Sequence, residues 1–282
     1  MSKATLHILI LAMSLMLTVD ASAETVVTRV SDQKNVTLSQ LVSDARRSDL
    51  VLIGEAHDDK THHAMELSLI SALCAPKSPF AIGLEMIQAD SQPVLDDWTA
   101  GKLSEQEFQK VYARNWSFDW TLYRDIFLYA RDHHIPMVGL NISKELVAKV
   151  SHLGFASLTP KERQELPEGA TCDLNNPHTA LLKSSFQELF KHATNGRVFT
   201  YFCEAQTLRN SGMAMNIARY VKKYPGRKVI VLAGVWHAVK NAIPEQLKRG
   251  GSTLTNTVIL PEIAELNAKN ATPEVADYLI GR

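Results

Sequence analysis

The chain lacks the compact signatures of several common chemistries. It contains no G-x-G-x-x-G, no P-loop, no G-x-S-x-G and no H-E-x-x-H. Dinucleotide binding, nucleotide hydrolysis and the common serine hydrolase route therefore lose their usual support. Charge of one sign is missing too. Lysine plus arginine (30) balance aspartate plus glutamate (30), which leaves no electrostatic footprint for nucleic acid. Short basic clusters such as Lys222-Lys223 and Lys248-Arg249 read as solvated surface. Beyond residue 23 no run is apolar enough to span a membrane. Cysteine is scarce, with Cys74, Cys172 and Cys203 and no metal-site spacing among them. The odd number leaves at least one unable to pair within the chain, each reads as a buried or partly buried thiol, and a Cys74–Cys203 bridge is left open. Internal repeats and low-complexity tracts are absent.

What is present begins with a targeting segment. Lys3, the apolar stretch Ile8 to Val19 and the small residues Ala21-Ser22-Ala23 form the pattern of a signal peptide over residues 1–23. The mature chain is then expected to start at Glu24, in the periplasm or secreted, with no cysteine near the cut to carry a lipid anchor. Downstream, short apolar runs alternate with amphipathic stretches, the pattern of βαβ units around a parallel sheet. The expected strands are Leu50–Ile53, Phe80–Leu84, Pro136–Leu140, Val198–Phe202, Val229–Ala233 and Val258–Leu260. Their near-continuous apolarity predicts helices on both faces. His63 to Leu73 and Asn210 to Tyr224 read as helices, the second ended by Pro225-Gly226.

Residues from about 92 to 190 predict a helical sub-domain inserted into the sheet domain of residues 24–282. Ser104 to Glu107 and Thr159 to Glu162 look like helix starts, and Leu166 to Pro177 looks like a loop. The fold class expected is α/β, a mainly parallel central sheet with flanking helices plus this small helical sub-domain.

The chemistry gathers at the strand ends. Gly54-Glu55-Ala56-His57 follows the first run and Gly83-Leu84-Glu85-Met86 closes the second. Leu140-Asn141, Glu204-Ala205-Gln206 and Gly234-Val235-Trp236-His237 follow the third, fourth and fifth. In an open α/β sheet ligands bind in the crevice outside the carboxyl ends of the strands. Glu55, His57, Glu85, Asn141, Gln206, Trp236 and His237 are thus the candidate ligand-binding residues. Glu55, His57, Glu85 and His237 are the candidate metal ligands, since imidazole with carboxylate suits zinc, manganese or iron. Trp236 offers a face on which a flat ligand can stack. Asp58-Asp59 reads as a helix cap. The adjacent pairs His62-His63 and His133-His134 point their side chains in different directions, so neither pair faces one ion easily. Asn115-Trp116-Ser117-Phe118-Asp119-Trp120 with Tyr123 either packs a core or lines an apolar groove.

The run Ile53 to Asp59 with His62-His63 after it resembles the ChaN-like haem-binding uptake family, related to the Tiki and erythromycin esterase proteins. Glu85 in Gly-Leu-Glu-Met, Phe118-Asp119-Trp120 with Tyr123, and Pro136 to Asn141 follow in the family's order. So do Leu158-Thr159-Pro160, Glu204-Ala205-Gln206, Met213-Ala214 and Gly234 to His237 with Ile243-Pro244. The resemblance implies haem binding for haem and iron uptake at the bacterial cell envelope, in some members by a homodimer holding stacked haems through tyrosines. Tyr123, Tyr129 and Tyr201 lie nearest the matched segments. Lys240 stands where members often carry a tyrosine, and Arg209 and Asn210 stand where they tend to carry tryptophan and aspartate. The wider superfamily implies an alternative, a metal-dependent hydrolase of peptidase or esterase type. Glu55, His57, Glu85 and His237 would then be catalytic, with Mn, Co or Zn.

Overall fold

The computed structural model describes residues 25–74, 79–164, 166, 170–173, 177–190 and 198–281. The signal segment expected over residues 1–23 lies outside them, as does part of the loop expected from Leu166 to Pro177. In chain order the elements are β1 (Val26–Arg29), β2 (Lys34–Val36), α1 (Leu38–Ala45), β3 (Leu50–Glu55), α2 (Lys60–Leu73) and β4 (Phe80–Gln88). Then come α3 (Gln92–Thr99), α4 (Glu105–Asn115), α5 (Trp120–Asp132), β5 (Met137–Asn141), α6 (Lys144–Leu153), α7 (Pro160–Arg163) and α8 (Pro177–Phe190). The chain closes with α9 (Phe199–Lys223), β6 (Lys228–Gly234), α10 (Val235–Ala238), α11 (Ile243–Arg249), β7 (Asn256–Pro261) and β8 (Tyr278–Gly281).

Among the described residues the strands form one 8-stranded sheet in the order β2-β1-β8-β7-β3-β6-β4-β5. From β8 to β5 every neighbour is parallel, and the β1–β2 hairpin adds an antiparallel edge. The side-chain period of two splits each central strand between two cores. Val51 and Ile53 join Ile82, Leu84 and Leu232 under α1 to α5, where Trp98, Phe108, Tyr112, Tyr123 and Phe127 pack. Leu50 and Leu52 join Ala81, Val229 and Val231 on the other face, with Met213 and Ile217 of α9 and Ile243 of α11. Helices cover both faces, which is why the strands read as unbroken apolar runs. The helices between residues 92 and 127 share the sheet's core.

Helix starts follow local chemistry. Ser104 and Thr159 each form a reciprocal capping box, with Glu107 and Glu162 respectively. Asp59 caps α2 by accepting from the backbone N–H groups of Thr61 and His62.

One expected strand is not a strand. Val198–Phe202 enters the long helix α9 instead. A short run of β-branched and aromatic residues fits a buried strand or a helix segment equally well. Here Phe199 and Phe202, spaced by one helical turn, both meet Phe186 of α8, at ring-centroid distances of 5.5 and 5.3 Å. Glu204 and Gln206 therefore sit on a helix and not at a strand end. The Cys74–Cys203 bridge is also overturned. Cys203 is bonded to Cys172, while Cys74 is a free, partly buried thiol that burial pushes up to about 12. Cys172 and Cys203 are thus not thiols at all.

Candidate functional site

The site arises where the strand order reverses. The chain runs from β3 over α2 to β4, and only later lays β6 between them. The register sets Glu55 of β3 opposite Gly234 of β6, and Leu84 of β4 opposite Leu232. Glu55, Glu85 and Gly234 therefore reach the carboxyl edge side by side, at a topological switch point.

Glu55 is 2% exposed, and its Oε1 accepts hydrogen bonds from Nδ1 of His57 (2.7 Å) and the Tyr123 hydroxyl (2.7 Å). Its Oε2 lies 3.0 Å from Nδ1 of His63. Burial works against the Glu55 charge, but bonds from His57 and His63 outweigh it and hold the carboxyl below its ordinary range. His63 also contacts Oε2 of Glu66 at 2.9 Å, and its Nε2 lies 3.2 Å from the His57 carbonyl oxygen. A carbonyl only accepts, so Nε2 carries the proton there. Burial opposes protonation of His63, yet Glu55 and Glu66 raise it to about 10. Glu66 is fully buried, and burial first, then the charge of Glu55, push its carboxyl well up. Burial and the adjacent Glu55 charge likewise drive the Tyr123 phenol far up, so it stays a donor.

The second cluster centres on Glu85, which is fully buried. Its Oε2 accepts from the Gly234 backbone N–H at 2.7 Å, and its Oε1 accepts from Nη2 of Arg209. Nε2 of His237 is 3.6 Å from Oε1, while Nδ1 of His237 donates to Oδ1 of Asn210 at 2.6 Å. Burial penalises the Glu85 charge, but His237, Arg209 and His57 overcome it and bring the carboxyl to about 2. Asn141 steadies the same strand by donating Nδ2 to the Glu85 carbonyl at 2.9 Å.

His57 joins the two clusters. Burial lowers its basicity, but the Glu55 bond and the charge of Glu85 raise its pKa above the ordinary value. Its side chain is 24% exposed. The rings of Trp116 and Phe118 stand at centroid distances of 4.9 and 5.0 Å from the imidazole. Beneath it lies Gly234, where a Cβ would sit 2.9 Å from Cε1 and 3.0 Å from Nε2 of His57. Gly234→Ala is therefore expected to swing the imidazole off Glu55 at a cost of about 1–3 kcal/mol. Urea unfolding reads the cost, and the His57 ring resonances in NMR read the displacement. Unchanged resonances would show that the ring does not depend on the glycine.

Of the residues expected at the rim, Glu55, His57, Glu85, His237 and Asn141 form one connected set. Gln206 stands one turn before Arg209 on α9, with its Oε1 buried and without a hydrogen-bond partner. Trp236 is partly buried and packs against the second core. Lys240 turns away to Asp277 (2.6 Å) and the Pro273 carbonyl (2.8 Å). Tyr129 bonds Ser71 and stacks on His133, and Tyr201 lies against Gly154. His62 accepts from the Ala56 N–H at 2.9 Å, so the adjacent histidines do diverge. His63, Glu66, Arg209 and Asn210 were not among the expected residues. Helical spacing held the signal for the first two, because His63 and Glu66 share the buried stripe of α2 with Leu69, Ile70 and Leu73. Among the described residues, Glu55, His63 and Glu66 form the cluster whose ligand atoms all lie within 4.8 Å of one another. Beside Glu85 the Arg209 guanidinium already supplies the cation.

The structure of ChaN from Campylobacter jejuni, described as binding haem cofacially, matches with a TM-score of 0.73 at 18% identity, covering 92% of this chain and 97% of that one. A mutant of the erythromycin esterase EreC in its open conformation matches with a TM-score of 0.49 at 16% identity, over 83% and 76% of the two chains. No curated protein sequence matches significantly. The family model described as "Haem-binding uptake, Tiki superfamily, ChaN" matches residues 41–247, a span holding every rim residue from Glu55 to His237, and the chain belongs to that family.

Proposed function

We propose that this chain binds haem at the carboxyl ends of β3, β4 and β6 and serves haem or iron uptake at the bacterial cell envelope. The family match over residues 41–247 carries the reading. The rim residues fit such a cargo. A porphyrin needs apolar walls, an axial donor for its iron and cations for its propionates. Trp116 and Phe118 wall the part-exposed His57 imidazole, and the Arg209 side chain is 18% exposed beside it. Tyr123 does not fit as a ligand, since it is fully buried and committed to Glu55.

Titrating haem into the purified chain is expected to give a saturable shift of the Soret band. Trp116→Ala should weaken binding about tenfold, the scale of one lost aromatic contact. No saturable shift in the wild-type chain would overturn the reading. Light scattering with and without haem tests the homodimer.

Export to the periplasm or beyond is the location that goes with this function. The Cys172–Cys203 disulfide supports it, because such bonds persist in oxidising compartments. Protein recovered from the periplasm and unfolded without reductant should expose Cys74 alone to a thiol reagent. Three reactive cysteines would contradict this location.

A further inference from the structure

We propose that Glu55, His63 and Glu66 form a binding site for a divalent transition-metal cation, set behind the rim and joined to it through Glu55. The three side chains are buried, at 2%, 3% and 0% exposure, and their ligand atoms lie within 4.8 Å of one another. A buried acidic cluster alone would not make a site. The independent observation is that Oε1 of Glu66 is buried with no hydrogen-bond partner, while Oε2 of Glu55 is met by Nδ1 of His63, itself one of the three candidate ligands. Buried carboxylate oxygens are costly to leave unsatisfied.

The surroundings prepare these atoms as ligands. The hydrogen bonds from His57 and Tyr123 both fall on Oε1 of Glu55, and Oε2 turns to Nδ1 of His63 inside the cluster. Nε2 of His63 faces the His57 carbonyl, the outer contact that orients a metal-binding imidazole and presents Nδ1 inward. Nδ1 stands 3.0 Å from Oε2 of Glu55 and 2.9 Å from Oε2 of Glu66, spacings that neighbouring ligands of one ion show. Two carboxylates balance a divalent charge. One imidazole with carboxylate oxygens suits Mn, Fe(II), Co or Zn rather than a softer ion. The ion would pin α2 to the end of β3 and fix Glu55, hence His57.

Cobalt(II) tests the site without haem. Chelator-treated wild-type protein should take up Co(II) stoichiometrically, with visible d–d bands that saturate. Glu66→Gln, which keeps shape and removes the charge, should abolish the bands while circular dichroism stays native. A crystal of the Co(II)-loaded wild-type chain should show its anomalous peak between Glu55, His63 and Glu66, a measurement that needs no variant. Absence of uptake overturns the proposal. So does a peak elsewhere, or uptake that survives Glu66→Gln but is lost in Glu85→Gln. Because no haem is present, failure here leaves the haem reading standing.

Discussion

Replacing Arg209 with alanine is expected to lower folding stability by about 3 kcal/mol, the lower end of the cost of breaking a buried ion pair from one side. Glu85 is fully buried, and Arg209 gives it a permanent side-chain cation in direct hydrogen-bond contact. Without it the carboxylate keeps the Gly234 N–H at 2.7 Å and a histidine nitrogen 3.6 Å away. The lower end applies because the Arg209 side chain is 18% exposed, so water can enter part of the vacated space. Glu85→Gln should cost less, about 1 kcal/mol, since an amide oxygen still accepts from Gly234 and the stranded guanidinium keeps some solvent. Arg209→Lys should fall between them, because an ammonium restores charge but not the planar fork. Urea unfolding at neutral pH measures all three. A loss under about 1 kcal/mol for Arg209→Ala would show that Glu85 is held by other means.

The same pair shows what could be read from residues alone. Glu55, Glu85 and His237 stood out because each interrupts or ends an apolar run, and the parallel sheet brings such ends to one edge. Asn141 was legible for the same reason. Arg209 and Asn210 were not, because a strand over Val198–Phe202 would put Glu204 and Gln206 at its end, whereas the segment enters a helix. In a helix running from Phe199 to Lys223, the residues facing the rim come later, Arg209 standing about two turns beyond Phe202. Glu204 instead accepts from the Phe155 N–H at 2.7 Å. His63 and Glu66 were hidden differently. Adjacent histidines diverge on a helix, which excludes joint use of His62 and His63 but leaves His63 alone free to meet Glu66. Strands β1, β2 and β8 span only 4, 3 and 4 residues at the antiparallel end of the sheet, too short for an apolar run to stand out. The Cys172–Cys203 pairing depends on how α9 begins, which spacing does not encode.

Stability of the metal-free chain should peak in mildly acidic solution and fall on both sides, with different carboxyl and imidazole groups responsible for each limb. On the acid side Glu85 leads. Its carboxyl sits at about 2 against an ordinary 4.5, so its contribution is whole above 4.5 and is lost as pH falls toward 2. The depression corresponds to about 3 kcal/mol, an upper figure for one buried group. On the alkaline side the sign reverses. His63 is raised from 6.5 to about 10, so its contribution is whole below 6.5 and is lost as pH rises through 10. His57, also raised, acts in the same sense. Glu66 adds to this limb, because a buried carboxyl held protonated favours the folded state less and less as pH climbs above 4.5. Urea midpoints measured in chelator across this range give the profile. Glu66→Gln cannot ionise at position 66, so its alkaline limb should be shallower than that of the wild type. A wild-type profile that stays level from pH 6.5 to 10 would mean that His63 does not carry its proton between the two carboxyl groups.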